Sequence, residues 1–462
     1  MAQPRTQMTR RQFLARMSVT MAASAAVLAA CGASPRQPTA PAQASGQSGG
    51  SPVAAQGGRV QFMNWDPVEG TSYEAVIKEY EKQTGRTVTV IPTPGTGTEY
   101  ETKVRAMLAG GNAPDIMRTN DDYVRYYSSK EQIVDLSAYI KSDIKRDDYS
   151  EAVLDFPIQP NGKNTAWSVG TQPRLIFYNV TMFKEAGVPL PPKDWVDTNW
   201  KWENFLDAAR KLTKGTDRWG ALVYTDTGFE QIWPTNNGHP SGIYSKDGKQ
   251  FTLADPKAAE AIQWAVDLTC KHQVQPERGL VRQANAANNL FAAGKIGMFE
   301  STAGVNEYFR RNIPKPGDPA HFEYDVAPIP GNVAQTTTAS LILFTVTKTA
   351  KDPAAAFGLL KHMASLEAGK IFADRGTFVP VHKQAASMLK VGDQPPASYP
   401  ANIALFSKAL SHLNFNSLTS NTEGARNIYR VQLDNVYNCQ TSAQDLLTKV
   451  KKDVEEVLAG TV

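Results

Sequence analysis

From residue 59 onward the sequence predicts an α/β fold of two lobes, each a mostly parallel sheet flanked by helices. Two observations predict it. Short apolar stretches that read as strands alternate with stretches whose apolar residues recur at helical spacing, the order that builds parallel, doubly wound sheets. About 400 residues follow a polar N-terminal segment, enough for two sizeable cores.

The elements follow in order. Val60 to Met63 reads as a strand. Thr71-x-x-Glu74 matches a capping box, and Tyr73, Val76, Ile77 and Tyr80 continue at helical spacing until Gly85. Val88 to Ile91 is a second strand, Thr98-x-x-Glu101 opens a second helix, and Asp115 to Met117 is a third strand. Leu175–Tyr178, Gly220–Tyr224, Ile296–Phe299, Tyr324–Ala327 and Ser340–Val346 read as further strands. Between them lie helices over Met182–Ala186, Trp202–Leu212, Pro256–His272 and Asn285–Ala293. From Pro353 the chain is nearly all helical, with loops around Phe378–Pro380 and Gln394–Pro400.

The first thirty residues read as an export leader. Thr9-Arg10-Arg11-Gln12-Phe13-Leu14 resembles a twin-arginine signal, and the alanine-rich run that follows ends in Leu28-Ala29-Ala30-Cys31. That run is too short and too weakly apolar for a membrane span of about 20 residues. Leu-Ala-Ala-Cys resembles a bacterial lipobox, so cleavage before Cys31 and lipidation of its thiol are expected. Residues 32–58 are mostly Pro, Ala, Gln, Ser and Gly and read as a disordered tether.

The formal charge of +4 carries less meaning than it suggests. Arg5, Arg10, Arg11 and Arg16 lie in the leader, which has no acid, and together they account for the whole excess. No basic block follows, so the electrostatic footprint of a nucleic-acid binder is absent. An oxidising compartment permits a disulfide between Cys270 and Cys439, although two buried free thiols are the simpler expectation. No Cys/His spacing suggests zinc, and no cofactor is expected.

Six segments occur in the order found in one family. They are Leu108-Ala-Gly-Gly-Asn-Ala-Pro-Asp-Ile116, Ile133 to Ile140, Leu175 to Gly187, Leu290-Phe-Ala-Ala-Gly-Lys-Ile-Gly-Met-Phe-Glu300, Tyr324 to Pro330 and Ala350 to Phe357. Together they resemble the extracellular solute-binding proteins of ABC importers, the family that includes maltose- and other sugar-binding receptors, over roughly residues 59–460. The resemblance implies a periplasmic-binding-protein type II fold. One lobe would comprise 59–170 and 336–382, the other 171–335 and 383–462, with crossings near 168–173, 333–340 and 380–384 forming a hinge. It further implies a carbohydrate captured in the cleft at that hinge, a membrane permease as partner, a monomer, and no catalysis. Thr336 to Ser340 stands where the family often has a Gly-Gly pair, and Tyr123 stands where sugar binders often carry tryptophan.

A sugar presents flat C–H faces and rims of hydroxyls. A site for one needs aromatic faces with fixed carboxylates, amides and arginines, held in loops at the carboxyl ends of strands. Trp65 and Asp66 follow the first strand and could stack and accept hydroxyls, or pack and cap locally. Asn120 and Asp121, with Asp122 third, follow the strand at 115–118 and could bind hydroxyls or cap a helix. Gln172 and Arg174 lie at the first crossing, where Arg174 could reach ligand or tie the lobes. By the resemblance, Trp233 and Asn237 face the cleft from the second lobe, and Glu300 and Ser301 lie at its edge. Ser340 on the return crossing and Arg375 before Gly376 complete the set. Trp195, Trp200 and Trp202 read as packing.

Three other functions are weighed. A polyol phosphate or similar polar metabolite would want several convergent cations, of which only Arg174 and Arg375 are obvious. A secreted glycoside hydrolase needs two carboxylates flanking one bond, and no hydrolase motif accompanies Asp66, Asp121 and Glu300. A plain structural lipoprotein would bind no solute.

Overall fold

The structure is a computed structural model that describes residues 58–460 apart from 66–67, 94–97, 196–198, 225–228, 284, 377, 391–399 and 420. The leader, Cys31, the tether and most of the Gln394–Pro400 loop lie outside the described residues.

The strands are β1 (Arg59–Met63), β2 (Thr87–Val90), β3 (Ile116–Thr119), β4 (Trp167–Asn179), β5 (Trp219–Leu222), β6 (Ile296–Thr302), β7 (Tyr324–Ala327), β8 (Ala339–Val346) and β9 (Val379–Pro380). They are hydrogen-bonded in the order β2-β1-β3-β8-β4-β6-β5, with β7 and β9 also paired to β4. The α/β class stands, but the sheet is mixed. β1 runs parallel to β2 and β3, and β5 parallel to β6. Every pairing made by β4 or β8 is antiparallel. Strands followed by a helical crossover come back parallel. β4 and β8 instead carry the chain between the halves in opposite directions, and neither can follow that rule.

β4 serves two groups of strands. Trp167 to Pro173 pair with β8, and Gly170 and Thr171 also with β9. Arg174 to Asn179 pair with β6 and β7. The register shifts between Ser168 and Thr171. Gly170 lies inside that irregularity, and a Cβ there would stand 2.1 Å from the Phe378 ring, so only glycine fits without displacing the ring.

Each half has its own apolar core. In the first, Phe62, Ile116 and Phe344 from the strands meet Val76 of the helix Ser72–Thr84, Leu359 of Pro353–Met363 and Phe372 of Leu366–Arg375. In the second, Phe177 and Phe299 meet Phe205 of Trp202–Leu212, Ile262 of Pro256–Cys270, Leu433 of Thr422–Tyr437 and Leu447 of Ala443–Ala459. Each such side chain contributes about 1.5–3 kcal/mol by leaving water.

Several helix ends follow their local signals. Asp352 caps the helix begun by Pro353, and Ser442 caps Ala443–Ala459. The expected capping box at Thr71 does not form. The Thr71 hydroxyl donates instead to the Val68 carbonyl, and Glu74 accepts from the Gly70 N–H. Cys270 and Cys439 form a disulfide with a Cα–Cα distance of 5.8 Å, which overturns the expectation of free thiols. The helices that end near each cysteine pack together in the second core, and this places the thiols in reach.

Candidate functional site

The carboxyl ends of β1 and β3 lie side by side, because Met63 pairs with Met117. One step further come Asn64 and Arg118. Asn64 is 2% exposed, and among the described residues neither its amide nitrogen nor its side-chain oxygen has a hydrogen-bond partner. Arg118 is 3% exposed. Its two terminal nitrogens make long hydrogen bonds of 3.4 Å to the Tyr73 hydroxyl and the Leu341 carbonyl, and Nε has no partner. The guanidinium carbon lies 4.4 Å from the Trp65 ring centroid and 5.3 Å from that of Phe344. Trp65 is half-buried and also meets Tyr100 edge-on at 5.6 Å.

The crossing strands add two accessible polar groups at the same level. Ser340 is exposed while the rest of β8 is buried, and it pairs with Gln172, itself half-buried. The Arg118 contact at Leu341 is on the next residue of β8, which ties the ends of β1 and β3 to this crossing. Gly304 packs against the Gln172 amide, where a Cβ would stand 2.8 Å from its nitrogen. Asn120 is half-buried, and its side-chain oxygen accepts from the Tyr123 N–H at 3.3 Å, so it caps the helix Asp121–Ser129. Facing this side, Arg105 lies 5.1 Å from the Tyr123 ring centroid and forms an ion pair with Glu423 of the second half. Arg125 donates to the Leu418 carbonyl of the same half.

Trp65, Asn120, Gln172 and Ser340 are therefore gathered where the strands end. Asp66 lies outside the described residues, and so do the side chains of Asp121 and Asp122.

Several of the other expected residues are committed within the second half. Arg174 and Glu300 form a bidentate ion pair, 2.5 Å from Nε to Oε1 and 3.1 Å from Nη2 to Oε2, with side chains 3% and 0% exposed. They join β4 to β6 inside the second half, so neither presents a free charge to a cleft. Ser301 is buried beside them. Trp233 does not offer the free face expected of it. It is fully buried between Trp202 and Trp264, at ring-centroid distances of 6.2 and 5.0 Å. Asn237 donates to the Lys257 carbonyl and to Glu260 and accepts from Asn332, so its amide is committed within the second half. Arg375 is exposed at the end of its helix, near Glu74. The carboxyl of Glu74 is held below the usual range chiefly by its hydrogen bond with Lys78, with Arg375 the smallest contributor. Trp195, Trp200 and Trp202 are buried packing groups, as expected.

Sequence reasoning missed Asn64 and Arg118. A signal existed for Arg118: it is a basic residue inside a short strand otherwise made of Ile116, Met117 and Thr119. Among the described residues no group of three or more His, Cys, Asp or Glu could hold a metal ion, and no helix is long and apolar enough to cross a membrane.

The family model of the bacterial extracellular solute-binding proteins matches residues 64–370. The chain is 26% identical over 247 residues to the erythritol/L-threitol-binding protein of Mycolicibacterium smegmatis, covering 49% of this chain and 50% of that protein. It spans roughly half the length of the curated relatives it matches. Among solved structures, the Listeria monocytogenes ABC substrate-binding protein Lmo0181 in complex with cycloalternan superposes with a TM-score of 0.72 at 22% identity, over 87% of this chain and all of that one. UgpB from Mycobacterium tuberculosis in complex with glycerophosphocholine gives 0.71 at 16% identity, over 87% and 99%. At those identities the likeness is one of fold.

Proposed function

Because the chain belongs to the bacterial extracellular solute-binding proteins, we propose that it captures a carbohydrate between its two lobes and delivers it to the membrane permease of an ABC importer. The family consists of binding proteins that work outside the cytoplasm. Anchoring through a lipid on Cys31, after twin-arginine export, is part of the proposal and follows from the leader sequence.

The observation that carries the reading is the gathering of a half-buried indole, Trp65, with the accessible polar groups of Asn120, Gln172 and Ser340. That is a stacking face with a hydroxyl-binding rim, the combination a sugar requires. The ends of β1 and β3, where Trp65 and Asn120 sit, are where open α/β sheets bind ligands. Closure about the hinge is supported by the way β4 passes from one group of strands to the other at Pro173 and Arg174. On this reading the lobes comprise 59–170 with 336–382 and 171–335 with 383–462. A solute touching both stabilises the closed form, because only that form makes both sets of contacts.

Thermal unfolding against a panel of mono- and oligosaccharides tests the proposal. A cognate ligand at ~100 times its Kd adds ~2.7 kcal/mol of stability. Failure of every sugar to raise the midpoint, or turnover of any of them, would count against it.

A further inference from the structure

Two arginines of the second half have carboxylate partners: buried Arg174 is paired with Glu300, and half-buried Arg430 with Glu230. Arg118 is different. Among the described residues no carboxylate lies within ion-pair distance of it, and its surroundings are the Trp65 and Phe344 rings, the Tyr73 hydroxyl and a backbone carbonyl. A charge taken out of water without a counter-charge is strongly unfavourable. Next to it, Asn64 buries an amide with both atoms unpartnered. Native structures seldom leave such groups unsatisfied, and two adjacent ones at the carboxyl ends of parallel strands need a partner that the described residues do not supply.

We propose that Asn64 and Arg118 receive an acidic group of the bound solute, a carboxylate or a phosphate, beside the Trp65 ring. This rests on the reading of these strand ends as the solute site. Each terminal nitrogen of Arg118 spends one N–H, on Tyr73 and on Leu341, and Nε has no acceptor among the described residues, so Nε is a donor left for a ligand. A hydroxyl would satisfy that donor and leave the charge uncompensated; an acid oxygen satisfies both. The Asn64 amide donates two further hydrogens to the same group, and its carbonyl accepts from a neighbouring hydroxyl. The positive charge missing from the sequence reading of an anionic ligand is thus present, on a residue that reading did not name.

The test follows the thermal unfolding of the full chain with glucose, glucuronate and inorganic phosphate, for the wild type and for Arg118→Gln. Glucuronate and phosphate should raise the midpoint and glucose should raise it less, and Arg118→Gln should weaken the apparent affinity for both acids by about tenfold or more. A response to glucose alone overturns the acidic-group inference and leaves the carbohydrate reading standing. A response to phosphate with none to either sugar supports the acidic group and counts against a carbohydrate carrying it, and no response to any of the three overturns the acidic-group inference and leaves the carbohydrate reading to the wider sugar panel. Acid binding that is unchanged in Arg118→Gln overturns the role assigned to this residue. If that variant fails to fold, Arg118→Met keeps the side-chain length without the charge, and Asn64→Ala should show the same selective loss with Arg118 intact.

Discussion

The Arg118 guanidinium lies 4.4 Å from the centroid of the Trp65 ring, and the edge of Tyr100 meets the same indole at 5.6 Å. Trp65 is thereby held as a fixed plane at the end of β1 although it is only half-buried. Trp65→Ala should reduce solute affinity by about tenfold or more, equivalent to ~1.4 kcal/mol, as measured by calorimetric titration. Unchanged affinity would remove this ring from the site.

Trp233→Ala should behave in the opposite way. The ring is fully buried among Trp202 and Trp264, so truncation leaves a cavity and should cost ~3–5 kcal/mol of stability. Urea unfolding measures this. A loss of binding with stability intact would show that the ring reaches the solute after all.

The buried pair of Arg174 and Glu300 should resist removal of either partner. Arg174→Met or Glu300→Gln alone leaves an uncompensated or unpaired group and should cost ~3–5 kcal/mol, whereas replacing both with apolar residues should cost much less. The double-mutant cycle reads the difference. Additive effects would mean that the pair is not coupled.

The disulfide between Cys270 and Cys439 closes a loop with a sequence separation of 169. Its removal by Cys270→Ser with Cys439→Ser should lower stability by ~2–5 kcal/mol, and a reductant should shift the wild-type midpoint toward that of the variant. Cys439 is exposed, so the reductant has access. Equal midpoints with and without reductant would speak against the bond.

Stability should fall on acidification through His362 and His412. Burial is the first cause that lowers both imidazoles below the ordinary value of 6.5. The folded state therefore binds fewer protons than the unfolded chain once the pH drops below that value. Their contribution is fully present above pH 6.5 and is lost as the pH falls from there through the depressed folded values. The unfolding midpoint followed from pH 7.5 to 5 should decline, and more shallowly in His362→Gln with His412→Gln. Identical slopes would assign the decline to other groups.

Much of the fold was legible because strands and helices are local patterns. The helix Trp202–Leu212 and the strand Tyr324–Ala327 fall where periodicity places them. Of the candidate site, Trp65, Asn120, Gln172 and Ser340 could be found from their position just past strands or on the crossings. Strand direction was less legible. Alternation of strand and helix implies parallel pairing, and nothing local reveals that β4 and β8 run between the halves.

By itself the sequence determined the leader, the ordered segments of the family and the alternating elements, all of them set by neighbouring residues. Tertiary structure alone decided which charges remain uncompensated and which rings are accessible. Glu300 neutralises Arg174 across 126 residues, Cys270 finds Cys439 across 169, and Arg118 meets Leu341 across 223. A side chain's availability to a ligand depends on what the rest of the chain brings against it. For that reason Trp233 and Arg174, prominent in the sequence, are committed within the second half, while Asn64 and Arg118 are left with polar atoms still to be satisfied.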